Sequence, residues 1–261
     1  MKSVWSGSIS FGLVSIPINL YSAIQEHVLG FKVLCEKCNN PVSYKRWCAH
    51  CKKEITWDHV VKGLEVEKGK YVVLTNETIK NLKPEKTSTI DIVEFVNVVD
   101  IGPIYYQHHY YATPGQQAQK AYTLLYQALK VMGKAAIGTF VMRDKQYVCA
   151  LQGYDMGILI STLHYDYEIR AIDKVIKSTS KQPKIGAAEL KLAKQLISSL
   201  QKNKFDISQF KDTFAQELKR FLKQNAQGKV VKFAKKKVQL EKTDKSLMKQ
   251  LKESLAEAAH A

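Results

Sequence analysis

The chain carries 40 lysine and arginine residues against 24 aspartate and glutamate residues, a net charge of +16 over 261 residues. A surplus of this size favours a polyanionic partner, which would be DNA, RNA or an acidic membrane surface, over a lysine-rich surface that serves only solubility. No apolar run approaches the roughly 20 residues of a membrane span, and the N-terminus lacks the layout of a secretory signal. We therefore expect a cytoplasmic, nucleoid-associated protein with no membrane partner.

Short apolar bursts in the first part of the chain predict β-strands. Two of them, at residues 4–11 and 13–16, are punctuated by Gly7 and Gly12. A short helix is predicted at residues 75–82, with Thr75 as its cap. Three more strands are predicted at residues 69–75, 89–99 and 105–111.

A helix followed by three strands is predicted in the middle of the chain. Residues 116–132 place small and apolar side chains on one helical face, because they recur every three to four positions. The dipeptide Asp144-Lys145 is predicted to form the tight turn of a hairpin. The strands are predicted at residues 138–143, 146–151 and 157–163.

The apolar period becomes helical from Gly186 onwards. The sequence predicts a β-rich core with one inserted helix at residues 1–185, a helical arm at 186–225, and a lysine-rich tail at 226–261 that ends in a short helix. The fold class is mixed and mainly β, since strands do not alternate regularly with helices as they do in a parallel α/β protein.

Four of the five cysteines form two CxxC pairs that are separated by nine residues. Two thiolates three positions apart can reach one ion from a tight turn, and two such turns complete a tetrahedral Zn²⁺ site with no open position. The spacing therefore predicts a structural zinc bound by Cys35, Cys38, Cys48 and Cys51. Four ordinary reduced cysteines, or a redox or iron–sulfur role, are the alternatives.

The sequence contains no recognisable catalytic set. It has no Walker A loop, no GxGxxG and no HExxH. His108 and His109 are adjacent on a predicted strand and would point to opposite faces, and Cys149 lies in an apolar run that is typical of a buried core cysteine. We expect a binding protein and not an enzyme.

Several blocks follow one another in order over residues 1–225. They read VWSGSISFGLVSIP at 4–17, VKGLE at 61–65, KGKYVVLT at 68–75, GKAAIG at 133–138 with VMR at 141–143, and AEL at the start of 188–200. Together these blocks resemble bacterial Ku proteins, the DNA-end-binding factors of non-homologous end joining and double-strand break repair.

The resemblance implies a Ku-type β-barrel core whose two copies join into a homodimeric ring. Such a ring threads over a double-stranded DNA end, contacts sugar and phosphate without reading sequence, and recruits an ATP-dependent DNA ligase, ligase D. Binding through phosphates needs many cations and no base-reading helix, which suits this composition. Composition and resemblance together predict a dimerisation arm at about residues 89–111.

The candidate phosphate contacts are basic residues in three places: the tip of the cysteine hairpin, the flanks of predicted strands, and the tail. Each alone is better explained by a solvated surface charge, so the prediction concerns the group. Its members are Lys45, Arg46, Lys62, Lys68, Lys70, Lys134, Arg143, Lys229, Lys232, Lys235, Lys236 and Lys237.

Two other functions remain open at this point. One is a zinc-containing nucleic-acid-binding regulator without end specificity. The other is an enzyme, such as a lyase that acts through a lysine on damaged ends.

Overall fold

The computed structural model describes residues 1–25, 30–84, 88–176, 185–224 and 247–258. The described strands are β1 (Trp5–Phe11), β2 (Val14–Ser22), β3 (Trp47–Cys48), β4 (Lys53–Glu54), β5 (Lys62–Glu67), β6 (Lys70–Leu74), β7 (Thr89–Asn97), β8 (Tyr106–Pro114), β9 (Lys134–Met142), β10 (Lys145–Tyr154) and β11 (Gly157–Leu163). The described helices are α1 (Asn76–Leu82), α2 (Gln119–Met132), α3 (Ile172–Ile176), α4 (Ala187–Ser199), α5 (Thr213–Gln224) and α6 (Leu247–Ala258).

Strand β2 shows how the sequence builds a barrel wall. Ile16, Ile18 and Leu20 lie at alternate positions and are buried, because successive side chains of a strand point to opposite faces. Strand β2 pairs in antiparallel fashion with β1 along its length. The two strands predicted here are confirmed, and the second continues past Pro17 to Ser22.

Within the described residues, seven strands close into a barrel in the order β1-β2-β8-β11-β10-β9-β7. The pair that closes it, β1 with β7, is parallel and aligns Ile9 with Ile90. Both side chains are fully buried. The mixed, mainly β fold class and the barrel that the resemblance implied are therefore confirmed.

Helix α2 packs on β9, β10 and β11 and adds one apolar face to the core. Tyr122, Leu125 and Leu129 are its buried residues. The Tyr122 hydroxyl donates to the carbonyl of Ala112 at 2.6 Å and accepts the N–H of Ile158 at 2.8 Å, so it links α2 to β8 and β11. The helix predicted at 116–132 is confirmed, with its start three residues later.

The chain leaves the barrel after β2 and returns at β7. The described part of this excursion, residues 30–84, contains the antiparallel pairs β3–β4 and β5–β6 and the helix α1. We call residues 30–84 the insertion. Thr75 caps α1 as predicted, since its hydroxyl accepts the N–H of Thr78 at 3.1 Å.

The chain divides into two compact units, residues 1–174 and residues 175–261. In the second unit α4 and α6 contact each other. Apolar side chains of α4 and α5, such as Leu190, Ile197 and Phe214, are exposed. The helices predicted in the arm and at the end of the chain are confirmed, while the predicted domain boundaries stay predictions.

Candidate nucleic-acid interface

The insertion has no buried residue over its described length of 55 residues. Leu64, Val66 and Tyr71 of its β5–β6 hairpin are each about 60% exposed. An isolated two-stranded hairpin is marginal in water, because it buries too little apolar surface to offset the ordering of its chain. The insertion therefore presents both faces of a sheet to whatever it binds.

Charge in the insertion is predominantly positive. Eleven lysines and arginines stand against six aspartates and glutamates, which gives a net charge of +5 over residues 30–84. None of these side chains belongs to a buried residue. This surface suits a polyanion better than it suits a protein partner without net negative charge.

The first CxxC pair lies on a tight turn. The N–H of Cys35 donates to the carbonyl of Asn40 at 2.9 Å, and the N–H of Asn39 donates to the carbonyl of Cys35 at 2.7 Å. A backbone hydrogen bond at Asn40, followed by the hydrogen bond with Cys35, lowers the pKa of the Cys38 thiol. Both cysteines thus face one side of the turn.

The second pair repeats this geometry. The N–H of Cys51 donates to Cys48 Sγ at 3.4 Å and lowers the pKa of the Cys48 thiol. In both turns the residue after the second cysteine has a positive φ, 56° at Asn39 and 50° at Lys52. The chain reverses at these two positions, and each reversal brings the two sulfurs of its own pair together.

The two pairs are not assembled into one four-sulfur cluster. Across residues 1–25, 30–84, 88–176, 185–224 and 247–258, no three His, Cys, Asp or Glu side chains are grouped as a metal site. The structure therefore brings each CxxC pair together, and the union of Cys35 and Cys38 with Cys48 and Cys51 stays a prediction.

Lys45 and Arg46 lie beside the second cysteine turn and have different partners. The ammonium of Lys45 forms a 2.8 Å ion pair with Glu54, which cancels its charge locally. The guanidinium of Arg46 lies 3.5 Å from the ring centroid of Trp57, in a cation–π contact that leaves its outer edge available. Sequence reasoning missed Trp57, although a tryptophan within a basic segment was the available signal.

The β5–β6 hairpin brings Lys62, Lys68 and Lys70 onto one small element. Lys62 begins β5, Lys68 lies in the turn, and Lys70 begins β6. Lys70 forms a 2.7 Å ion pair with Glu67. Lys62 and Lys68 are therefore the better phosphate contacts of the three.

Lys134 and Arg143 are separated by the length of β9, roughly 30 Å at the usual rise of an extended chain. Lys134 donates to Asn97 at 2.7 Å and borders an apolar groove between α2 and the barrel. Arg143 lies at the tip of the β9–β10 hairpin. The two residues cannot contribute to one patch.

The tip of the β9–β10 hairpin also holds the insertion against the barrel. Arg143 and Asp144 have φ values of 53° and 63°, so they form the turn, which starts one residue earlier than predicted. Asp144 pairs with Lys83, near the end of the insertion, at 2.8 Å. This contact fixes the point where the insertion rejoins the barrel.

Two further expectations have outcomes, and a third lies outside the described residues. His108 is exposed while His109 is half-buried and bonded to the Ser161 hydroxyl at 2.8 Å, so the two rings do lie on opposite faces. Cys149 is fully buried, and burial raises its pKa to about 12, as suits a core cysteine. The tail residues predicted to bind DNA, Lys229, Lys232, Lys235, Lys236 and Lys237, lie outside the described residues.

Comparison with known proteins gives one consistent result. Residues 10–192, or 183 of the 261, match the family model described as the Ku70/Ku80 beta-barrel domain. This chain belongs to the Ku family. The matched range begins in β1 and ends in α4, so it includes the barrel and the insertion.

The curated relatives that this chain resembles share one name, "Non-homologous end joining protein Ku". The "Non-homologous end joining protein Ku" of Bacillus subtilis is 39% identical over 84% of this chain and 70% of its own length. The proteins of the same name from Heliobacterium modesticaldum and Archaeoglobus fulgidus are 36% and 33% identical, each over 88% of this chain and over 83% and 90% of their own lengths.

None of the described helices is long and apolar enough to cross a membrane.

Proposed function

We propose that this Ku-family chain forms a homodimeric ring that binds linear double-stranded DNA ends without sequence specificity, in non-homologous end joining. The observation that carries the proposal is the insertion: a positively charged, two-faced segment with no core of its own, attached to a closed barrel of the Ku family. The proposed role is binding and not catalysis.

Recognition through the DNA backbone follows from the chemistry of the insertion. Its cations are spread over several elements and include Arg46, Lys62 and Lys68. Scattered lysines and arginines contact phosphates, which carry no sequence information, whereas reading sequence requires side chains that reach base edges in a groove. Binding of this kind weakens as salt rises, because each phosphate contact releases a counterion.

A second copy is the partner that would close the ring. Residues 89–111, predicted as a dimerisation arm, form the barrel strand β7, most of β8 and the connection between them. This region exposes Val93, Val99 and Ile104, which are 74%, 89% and 61% exposed. An apolar exposed surface of this kind marks an interaction site, and we assign the dimer contact to it.

Structural zinc is the second part of the proposal. Cys35, Cys38, Cys48 and Cys51 would hold one Zn²⁺, with the two CxxC turns supplying two thiolates each. The matched turns, each with a positive φ after its second cysteine, support this assignment. A zinc ion bound by four thiolates would link the two CxxC turns of the insertion, which has no buried residue. Metal binding would thereby contribute to the folding free energy of the insertion.

Recruitment of an ATP-dependent DNA ligase, ligase D, is the third part. A protein that marks ends without joining them needs a joining enzyme as its partner. Pull-down of such a ligase by the full-length chain, with and without a linear duplex, measures this directly. Absence of ligase in both samples would remove this part and leave end binding unaffected.

The test of the central proposal compares two topologies of the same DNA. A linear duplex and its covalently closed circle are incubated with the protein and separated by gel electrophoresis. We expect a strong shift of the linear DNA that disappears when both ends are blocked by bulky groups, and a weak, salt-sensitive shift of the circle. Equal binding of the linear and circular forms would refute ring threading.

A further inference from the structure

A pair of stacked tyrosines lies at the barrel end that carries the β9–β10 hairpin tip. Tyr165 and Tyr167 belong to the short turn after β11, with ring centroids 5.5 Å apart and planes only 10° from parallel. Tyr167 is 81% exposed. A large aromatic ring left in water on a structured turn is a surface for binding.

The turn holds these rings in place before any ligand arrives. The Tyr165 hydroxyl donates to the carbonyl of Gln146 at 3.3 Å, and its backbone N–H donates to the carboxylate of Glu168 at 2.9 Å. His164 lies 3.3 Å from the same carboxylate. Tyr165 is thereby fixed to β10, and Tyr167 presents a rigid face, which lowers the entropic cost of binding to it.

Charges of both signs lie near the pair: Asp166 and Glu168 belong to the turn itself, and cations lie beside it. The Lys145 ammonium is 5.3 Å from the ring centroid of Tyr147, which packs on the buried Phe140. The positive charge of Lys145 also acts on both Tyr165 and Glu168. Arg143 lies two residues before Lys145 at the hairpin tip, and exposed Arg170 follows the turn. An aromatic ring beside cations can bind both parts of a nucleotide, because the base can stack on the ring and the phosphate can pair with a cation.

Unpaired nucleotides fit this surface better than duplex DNA does. Inside a duplex both faces of each base are covered by neighbouring bases, and a flush end exposes only the outer face of its last base pair, so unpaired bases offer far more surface for stacking on a tyrosine. Aromatic stacking with adjacent cations is the general means by which proteins bind single strands without reading sequence. The Lys83–Asp144 pair, at the same barrel end, connects this surface to the insertion, where we place the duplex.

We propose that Tyr165 and Tyr167, with Lys145 and Arg143, bind the single-stranded overhang of a DNA end. The inference rests on the proposed function, because it places the overhang beside an end-bound duplex. It adds a distinction that backbone contacts cannot make, between a flush end and an end that carries unpaired bases.

The experiment uses one duplex with a flush end and the same duplex with a five-nucleotide single-stranded tail, whose first unpaired base is 2-aminopurine. Affinity is measured for the wild type, Tyr167→Ala, Tyr167→Trp and the control Tyr154→Ala. Tyr154 is a tyrosine at the opposite end of β10 and is also exposed, by 53% against 81% for Tyr167. Substituting Tyr167 removes no buried contact from the core.

We expect wild type to bind the tailed end about tenfold more tightly than the flush end and to quench 2-aminopurine fluorescence, since stacking one base on an aromatic ring has roughly this effect. Tyr167→Ala should abolish the preference and the quenching while flush-end affinity stays the same. Tyr167→Trp and Tyr154→Ala should retain both.

Equal affinity of the wild type for the two ends, or an unchanged preference in Tyr167→Ala, would overturn the inference. Failure of the wild type to bind either end would instead refute the proposed function, so the two failures are distinguishable.

Discussion

The barrel and the insertion are both rich in β-structure, yet they are stabilised in different ways. The barrel closes on itself and buries side chains such as Phe140, Leu151 and Ile160 completely. The insertion has comparable apolar residues in β5 and β6 and buries none of them. The barrel is therefore stabilised by its own core, whereas the described insertion has no buried side chain to stabilise it.

The largest expected effect comes from a matched pair of truncations. Phe140→Ala should lower the free energy of unfolding by about 3–5 kcal/mol, because it leaves a cavity in a closed core. Leu64→Ala should change it by less than about 0.5 kcal/mol, since Leu64 is 62% exposed. Denaturant unfolding followed by circular dichroism measures both. Equal effects would show that the insertion has a core after all.

The next largest effect is expected from metal removal, which should destabilise the insertion and leave the barrel unchanged. The purified protein should contain about one zinc per chain, and chelation or Cys48→Ser should make proteolysis within residues 30–84 about tenfold faster, because a structural zinc supplies folding energy that this segment lacks. Thermal unfolding of the barrel should not change. Cys149→Ala is the control that keeps the metal. Less than about half an equivalent of zinc in the wild type would refute the site.

Lysine substitutions should act on DNA affinity by a smaller factor. Lys62→Ala with Lys68→Ala should reduce the slope of log affinity against log salt by about 2, because each phosphate contact contributes about 0.9. The control Lys120→Ala changes an exposed lysine on α2, away from the insertion. An unchanged slope in the double variant would place the phosphate contacts elsewhere.

The smallest effect concerns the junction between the two regions. Lys83→Met breaks the ion pair between Lys83 and Asp144. The Lys83 side chain is 39% exposed and that of Asp144 is 32% exposed, so the loss should cost about 0.5–1 kcal/mol of stability. Hydrogen exchange at the β9–β10 turn should rise in the variant. If the turn keeps its protection, the pair does not hold the insertion to the barrel.

Sequence patterns predicted the barrel strands well because each of them has a buried face. The inward residues of β2 and the apolar stripe of α2 follow regular periods, and Thr75 is a typical cap. Closure could not be deduced from periodicity, since the parallel pairing of Ile9 with Ile90 joins strands some 80 residues apart. The family resemblance supplied that part.

The candidate site was harder to predict, for physical reasons. Strand β5 escaped prediction because its sequence KGLEVE has only two apolar residues among Gly63 and three charged ones, whereas β6 carries a continuous apolar run. The β9–β10 turn was placed one residue late because Arg143 and Asp144 occupy positions that favour glycine or asparagine. Lys45 and Lys70 were predicted as phosphate contacts, and only coordinates reveal the acidic partners of each.

Hydrogen exchange of residues 30–84 tests the central claim most directly. The purified protein is compared alone, with a linear duplex, and with the same DNA as a closed circle. The account predicts fast exchange in the insertion alone, marked protection with linear DNA only, and a barrel that is protected throughout. An insertion as protected as the barrel without DNA, or unaffected by linear DNA, would contradict it.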